Sequence, residues 1–180
     1  MTQEFKPKTN VLSLDLELNQ PSNKIIQIGY AIGNITTREI LQHDFIYVNP
    51  EEEINPFITE LTGITDYHVK HAPSLETAYE LMKNDIAPYE CFINPVTWGG
   101  GDSQLLREQL GMQDTNFIFG RRWIDVKTLA QHELVKKAGH FNVKGGLGKT
   151  MPKFGLKFEG RKHDAMHDAV NTLRLYFKLL

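Results

Sequence analysis

A chain of 180 residues, 41% hydrophobic and 23% charged, is long enough for one domain with a substantial core, and no apolar run in it approaches the length that crosses a bilayer. The lone cysteine, Cys91, excludes an internal disulfide and a multi-cysteine zinc cluster, and the start MTQEFKPKTN lacks the apolar stretch of a signal peptide, so a cytoplasmic location is expected. The net charge of −2 hides an asymmetry: residues 1–120 hold 7 Lys/Arg and 17 Asp/Glu, whereas residues 121–162 hold 11 Lys/Arg and 3 Asp/Glu. A basic segment beside an acidic body suits a protein that holds an anionic ligand near a cation site; a solvated basic face reads the same way on charge alone.

Residues 1–10 read as an N-terminal extension and 11–180 as a single domain, with no repeat, linker or low-complexity tract. VLSLDLE (11–17) alternates apolar and polar residues as a strand does, and NQPSN follows as a turn. KIIQIGYAIG (24–33) and REILQHDFIYVNP (38–50) read as two more strands, and the short connections suggest an antiparallel meander. Ser74 and Thr77 cap an amphipathic helix over about 74–86. CFINPVTW (91–98) reads as a strand, GGG (99–101) as a turn, and a helix begins near Asp102. FIF (117–119) has the composition of a short strand, and Ile124 to Ala138 carries helical spacing. A Gly-rich basic stretch (144–162) precedes a last helix from about 164, with Ala165, Ala169, Leu173 and Phe177 at near-fourfold spacing. Strands first, then helices around one more strand, predict an α/β domain with a mixed sheet.

Side chains two apart on a strand share a face, so Asp15 and Glu17 project together, opposite Leu14, Leu16 and Leu18. Two adjacent carboxylates repel, and a hard divalent cation such as Mg²⁺ or Mn²⁺ between them would relieve the repulsion. An exposed strand face with two solvated acids is the plainer alternative. Asp102 stands where a helix N-cap would, and Asp168 where an acid suits the first turns of a helix; each residue alone needs no further task.

HDAMHDAVNT (163–172) crowds two histidines and two aspartates into six positions. His163 and His167 are four apart and imitate the zinc motif H-E-x-x-H, with Asp in place of the general-base Glu and no third ligand at matching spacing. The other division pairs His163 with Asp168. If His163 precedes the helix and Asp168 lies on it, Asp168 can join a metal cluster while His163 hangs over it as a proton acceptor.

Asp15, Glu17, Asp102, His163 and Asp168, in this order, resemble the DEDD-type 3′–5′ exonucleases whose fifth residue is histidine, within the ribonuclease-H-like superfamily. IIQIG on the second strand, ELTGIT (60–65) and TWGGGD (97–102) are similar to the branch of histone-mRNA-end and RNA-interference-related exoribonucleases, and the resemblance spans roughly 11–178. It implies a mixed five-stranded sheet flanked by helices. It also implies two Mg²⁺ or Mn²⁺ ions held by Asp15, Glu17, Asp102 and Asp168, with His163 taking the proton from the attacking water. Two such ions about 4 Å apart suit an in-line displacement at phosphorus. Substrates would be single-stranded RNA or DNA 3′ ends, cut to nucleoside 5′-monophosphates; relatives are monomers and dimers, so a homodimer is compatible. His167 is left structural or peripheral, and Asp164 a helix cap or first-turn acid.

The same resemblance places Leu61, Thr62 and Ile64 of LTGI at the terminal nucleotide, although these residues equally suit the core of a short helix. Trp98 could stack on a base or pack in the core. Lys and Arg of 144–162 are placed to track phosphates. Leu18 departs from the pattern: many relatives carry Thr or another small residue there, and Leu18 retains only a backbone N–H for a 3′-hydroxyl. GGLGKT (145–150) is not a P-loop, because the first glycine of that motif would fall on Val143. No G-x-S-x-G supports a serine hydrolase. Two rivals remain: a zinc hydrolase built on His163 and His167, and the same fold kept as a silent nucleic-acid-binding module.

Overall fold

The computed structural model describes residues 7–111, 117–140 and 145–180. Its five strands are β1 (Asn10–Leu18), β2 (Ile25–Asn34), β3 (Ile40–Tyr47), β4 (Val96–Thr97) and β5 (Ile124–Asp125), in the spatial order β3-β2-β1-β4-β5. The β1–β2 and β2–β3 pairs are antiparallel, and β4 and β5 add in parallel on the other side of β1. The mixed five-stranded sheet and its antiparallel meander are as expected.

β1 is central and covered on both faces. Leu12, Leu14 and Leu16 enter one apolar layer with Ile28, Tyr30 and Ile32 of β2, under α3 (Leu75–Ile86). Val11 of the opposite face joins Ala31 of β2, under α5 (Val126–Ala138), α6 (Leu147–Thr150) and α7 (Ala165–Leu179). Burying one Leu side chain contributes roughly 1.5–3 kcal/mol. A one-residue slip would exchange the two faces of β1 and drive Asp15 and Glu17 into the leucine layer, so the three leucines fix where the acids point. A third, smaller core joins Ile26 to Ile58 of α1 (Pro56–Thr62), to Ile64, and to Val69 of α2 (Asp66–Val69).

Three elements differ from their sequence reading. The strand expected over 91–98 shrinks to Val96–Thr97, since the Phe92 N–H already donates to Asn10 O and the Gly120 N–H to Ile93 O outside any regular ladder. FIF forms no strand. Phe117 and Phe119 pack with Tyr79 and Trp123, and the Ile118 N–H donates to the Tyr79 hydroxyl at 3.0 Å instead of to a neighbouring strand. Ile124–Asp125 pairs with β4, and the helix begins one residue later, with the Asp125 carboxylate accepting from Lys127 N and Thr128 N. α4 (Asp102–Gln109) completes the set, and among the described residues no helix is long and apolar enough to cross a membrane.

Candidate active site

The N-terminus of α7 decides the geometry of the site. Asp164 caps it, its carboxylate accepting from His167 N at 3.1 Å. Ala165, Ala169 and Leu173 are wholly buried and lay the helix on the sheet. The first turn touches β2 at two residues. A Cβ on Gly29 would come 2.0 Å from the Ala165 carbonyl carbon, so only glycine admits the helix there. The buried Gln27 accepts from Ala165 N through Oε1 at 3.0 Å, satisfying one of the free N–H groups of the helix start. In the β1–β2 register Gly29 lies opposite Asp15, and Gln27 opposite Glu17. The two residues that seat α7 are thus the direct neighbours of the two acids.

Asp168 projects from that first turn. Ligand atoms of Glu17, His163 and Asp168 all lie within 4.8 Å of one another. Asp15 joins these three in lining a cleft of about 500 Å³. His163 lies outside α7, exposed, with φ +58°. That left-handed conformation costs a non-glycine residue about 1–3 kcal/mol. The His163 N–H donates to Asp168 Oδ2 at 2.9 Å, which holds the loop in place.

The electrostatics report a site short of positive charge. Burial first, then Asp102, Asp168 and Glu17, push the Asp15 carboxyl well above its ordinary range. Burial and the neighbouring Asp168, Asp164 and Asp102 raise Glu17 to about 8, against a smaller opposing pull from Arg161. Burial raises Asp102 to about 7, against its own backbone N–H. Burial raises Asp168 to about 6, against the His163 N–H. Acids so placed are either protonated or neutralised by a cation. All the donors are carboxylate oxygens beside one imidazole, which matches hard divalent ions.

Asp102 is the first residue of α4, not its N-cap, which is Gly101. It is not among the residues that line the cleft, but it is the charged group that acts most strongly on Asp15. His167 lies on α7 while His163 precedes it, so the two do not share a helical face, and the geometric premise of a two-histidine zinc motif is missing. The His167 ring packs over Gly160, and its Nδ1 lies 2.9 Å from Asp164.

Of the residues placed at the substrate by sequence, Trp98 lines the cleft. Leu18 sits at the bulge that ends the β1–β2 register and leans on the α3 core. Leu61 is 37% exposed, whereas Thr62 (4%) and Ile64 (3%) are buried, Thr62 donating to Ile58 O and Ile64 packing on Ile26. Gln27 and Gly29 carry no role of their own in the sequence reading, and Lys149 and Lys162 enter it only within the basic stretch 144–162. A glycine inside a run of isoleucines on a buried strand was the available signal for Gly29.

A family model described as Exonuclease matches residues 12–176. The chain belongs to the exonuclease family. Mouse ERI1 exoribonuclease 2 is 26% identical over 182 residues, covering 88% of this chain and 26% of that protein. A PolC-type DNA polymerase III of Streptococcus suis is 27% identical over 163 residues, covering 91% of this chain and 10% of that protein. The chain therefore spans about a quarter or less of these relatives. Among solved structures, cell-death related nuclease 4 superposes with a TM-score of 0.80 at 19% identity, over 95% of this chain and 63% of that one. The nuclease domain of 3′hExo, a DEDDh member bound to rAMP, gives 0.76 at 20% identity, over 94% and 90%. The fold is the ribonuclease-H-like one of that group, and the resemblance to DEDDh 3′–5′ exonucleases read from the sequence holds.

Proposed function

We propose that this domain is a divalent-cation-dependent 3′–5′ exonuclease that releases nucleoside 5′-monophosphates from single-stranded RNA or DNA ends. The observation that carries the reading is the convergence of Glu17, His163 and Asp168 within 4.8 Å at a cleft shared with Asp15. Asp15, Glu17, Asp102 and Asp168 would hold two Mg²⁺ or Mn²⁺ ions. When bound, the ions supply Lewis-acid stabilisation of charge on the phosphoryl group and on the departing 3′-oxygen.

The chain's own residues do the rest. A ring nitrogen of His163, exposed above the acids, accepts the proton of the attacking water. Asp168 fixes the His163 backbone and so limits where that ring can reach. Water adds its oxygen to the terminal phosphorus, the bond to the upstream 3′-oxygen breaks, and the terminal residue leaves as a 5′-monophosphate. Leu61 is the exposed apolar contact for the terminal nucleotide, and the Leu18 N–H is the group left to meet its 3′-hydroxyl; Thr62 and Ile64 are buried and hydrogen-bonded within the α1 turn, and they shape that contact from below. Trp98 offers a face for a base.

The relatives support the substrate class. One neighbouring structure is of a 3′-exonuclease recognising the 3′ end of a histone mRNA stem-loop, and another is Exonuclease X with 5′-overhanging duplex DNA. The test uses matched 5′-labelled RNA and DNA oligonucleotides, single- and double-stranded, with Mn²⁺ or Mg²⁺. Shortening by one nucleotide at a time with 5′-monophosphate product is expected. Retardation without shortening would instead identify a silent binding module.

A further inference from the structure

We propose that Lys149 and Lys162 form a phosphate clamp that holds the phosphodiester on the 5′ side of the one being cut; this rests on the exonuclease reading above. The lining of the cleft carries both signs: the acids Asp15, Glu17 and Asp168, and the bases Lys149 and Lys162 beside Gly148. The Lys162 stem lies across Gly148: a Cβ there would come 2.7 Å from Lys162 Cε and 3.2 Å from its Nζ. The missing side chain at 148 is what lets the ammonium group cross the loop to the cleft. The motif GGLGKT, which is not a P-loop, thereby keeps a phosphate-binding task by another route.

Both lysines are exposed, and among the described residues no carboxylate lies within 4.0 Å of either ammonium group. They line the same cleft as the acids without pairing with them, which leaves their charge for an anion. A lysine ammonium binds phosphate as a point charge and asks for no fixed geometry, which suits a polymer that advances one unit per cycle. A polyanion approaching buried carboxylates is repelled along its length, so a cationic pair in the same cleft offsets that repulsion at the next phosphate.

The topology identifies which phosphate this is. α1 and Ile64 pack on Ile26 and Tyr47, on the β2–β3 side of the acids. Leu147 and Met151 pack with Val96 and Trp98, on the β4 side. A strand whose terminal nucleoside rests at Leu61 leaves past Trp98 and the two lysines.

The test compares two substrates of the whole chain with Mn²⁺: a labelled single-stranded oligonucleotide, and the p-nitrophenyl ester of thymidine 5′-monophosphate, which has a scissile phosphodiester but no phosphate upstream. For Lys149→Ala/Lys162→Ala the oligonucleotide KM should rise about tenfold with kcat kept, and the salt dependence of log kcat/KM should flatten by about 0.7 per lost phosphate contact. Hydrolysis of the nitrophenyl ester should be unchanged, and Lys149→Arg/Lys162→Arg should behave like the parent chain. Unchanged oligonucleotide KM and salt slope, or equal loss on both substrates, would overturn the clamp while leaving the exonuclease reading in place. A parent chain that cleaves neither substrate would overturn that reading and the clamp with it.

Discussion

The backbone N–H of His163 donates to Asp168 Oδ2 across 2.9 Å, so the residue proposed to move a proton is tethered to one proposed to bind metal. The two roles can be separated by substitution. Asp168→Asn keeps an oxygen for that N–H and loses the charge; Asp168→Ala loses both. Both variants should fail in Mn²⁺-dependent mononucleotide release, by more than the roughly 10–100-fold seen when a group that merely supports a metal ligand is changed. Circular dichroism should match the parent chain. Full activity in either purified variant would remove Asp168 from the metal set.

His163→Ala tests the proton acceptor. Its side chain is exposed and its backbone bond to Asp168 survives truncation, so the fold and the carboxylates are left in place. Turnover should fall about 10²–10⁴-fold, the usual range for loss of a general base. Mn²⁺ affinity measured by calorimetry should stay within a few-fold. A parent-chain kcat that is flat across neutral pH would argue against proton transfer through this ring.

The raised carboxylates link stability to pH and metal. Glu17 is pushed to about 8 and Asp168 to about 6 in the folded chain. Unfolding returns both to the ordinary carboxylate range near about 4. The folded state therefore holds protons that the unfolded chain gives up, and the metal-free protein is most stable below that range. Stability should fall as pH rises, through about 6 for Asp168 and up to about 8 for Glu17. A divalent cation competes with those protons, so Mn²⁺ should raise Tm more at about pH 8 than at about pH 5. A metal-free Tm that does not change over this interval, or an equal Mn²⁺ shift at both ends, contradicts the assignment.

What could be read in the sequence was what is local. Period-two alternation in VLSLDLE places Asp15 and Glu17 together, and the Leu14–Leu16 face that fixes them is visible in the same seven letters. Ser74, Asp164 and the start of α7 follow from capping chemistry. Convergence was visible only through family resemblance, because it depends on pairs such as Gln27 and Ala165, 138 positions apart. Hydrophobic patterning says nothing of such a contact: one partner is a buried amide, and the neighbouring one, Gly29, has no side chain. The FIF strand failed for a related reason, since a distant tyrosine hydroxyl took the N–H that a ladder needed.

Gly29 gives the sharpest test of how the fold holds the site. A Cβ at this position meets backbone atoms of Ala165 and Met166 at 2.0–2.4 Å, and backbone cannot swing aside as the end of a side chain can. Gly29→Ala must lift the first turn of α7 from the sheet. That weakens the Gln27–Ala165 hydrogen bond, opens the apolar contact of Ala165, and moves Asp168 relative to Asp15 and Glu17. Overpacking of this kind costs about 1–3 kcal/mol or more, and a catalytic group shifted by about 1 Å can lose about a hundredfold in rate. Gly100→Ala is the matched control: it lies in the WGGGD loop beside Asp102, has open space around it, and should change stability by no more than about 0.5 kcal/mol. Urea unfolding and single-nucleotide release measured on both variants decide the matter. If Gly29→Ala unfolds at the same urea concentration as Gly100→Ala and cuts at the same rate, α7 is not seated through this contact.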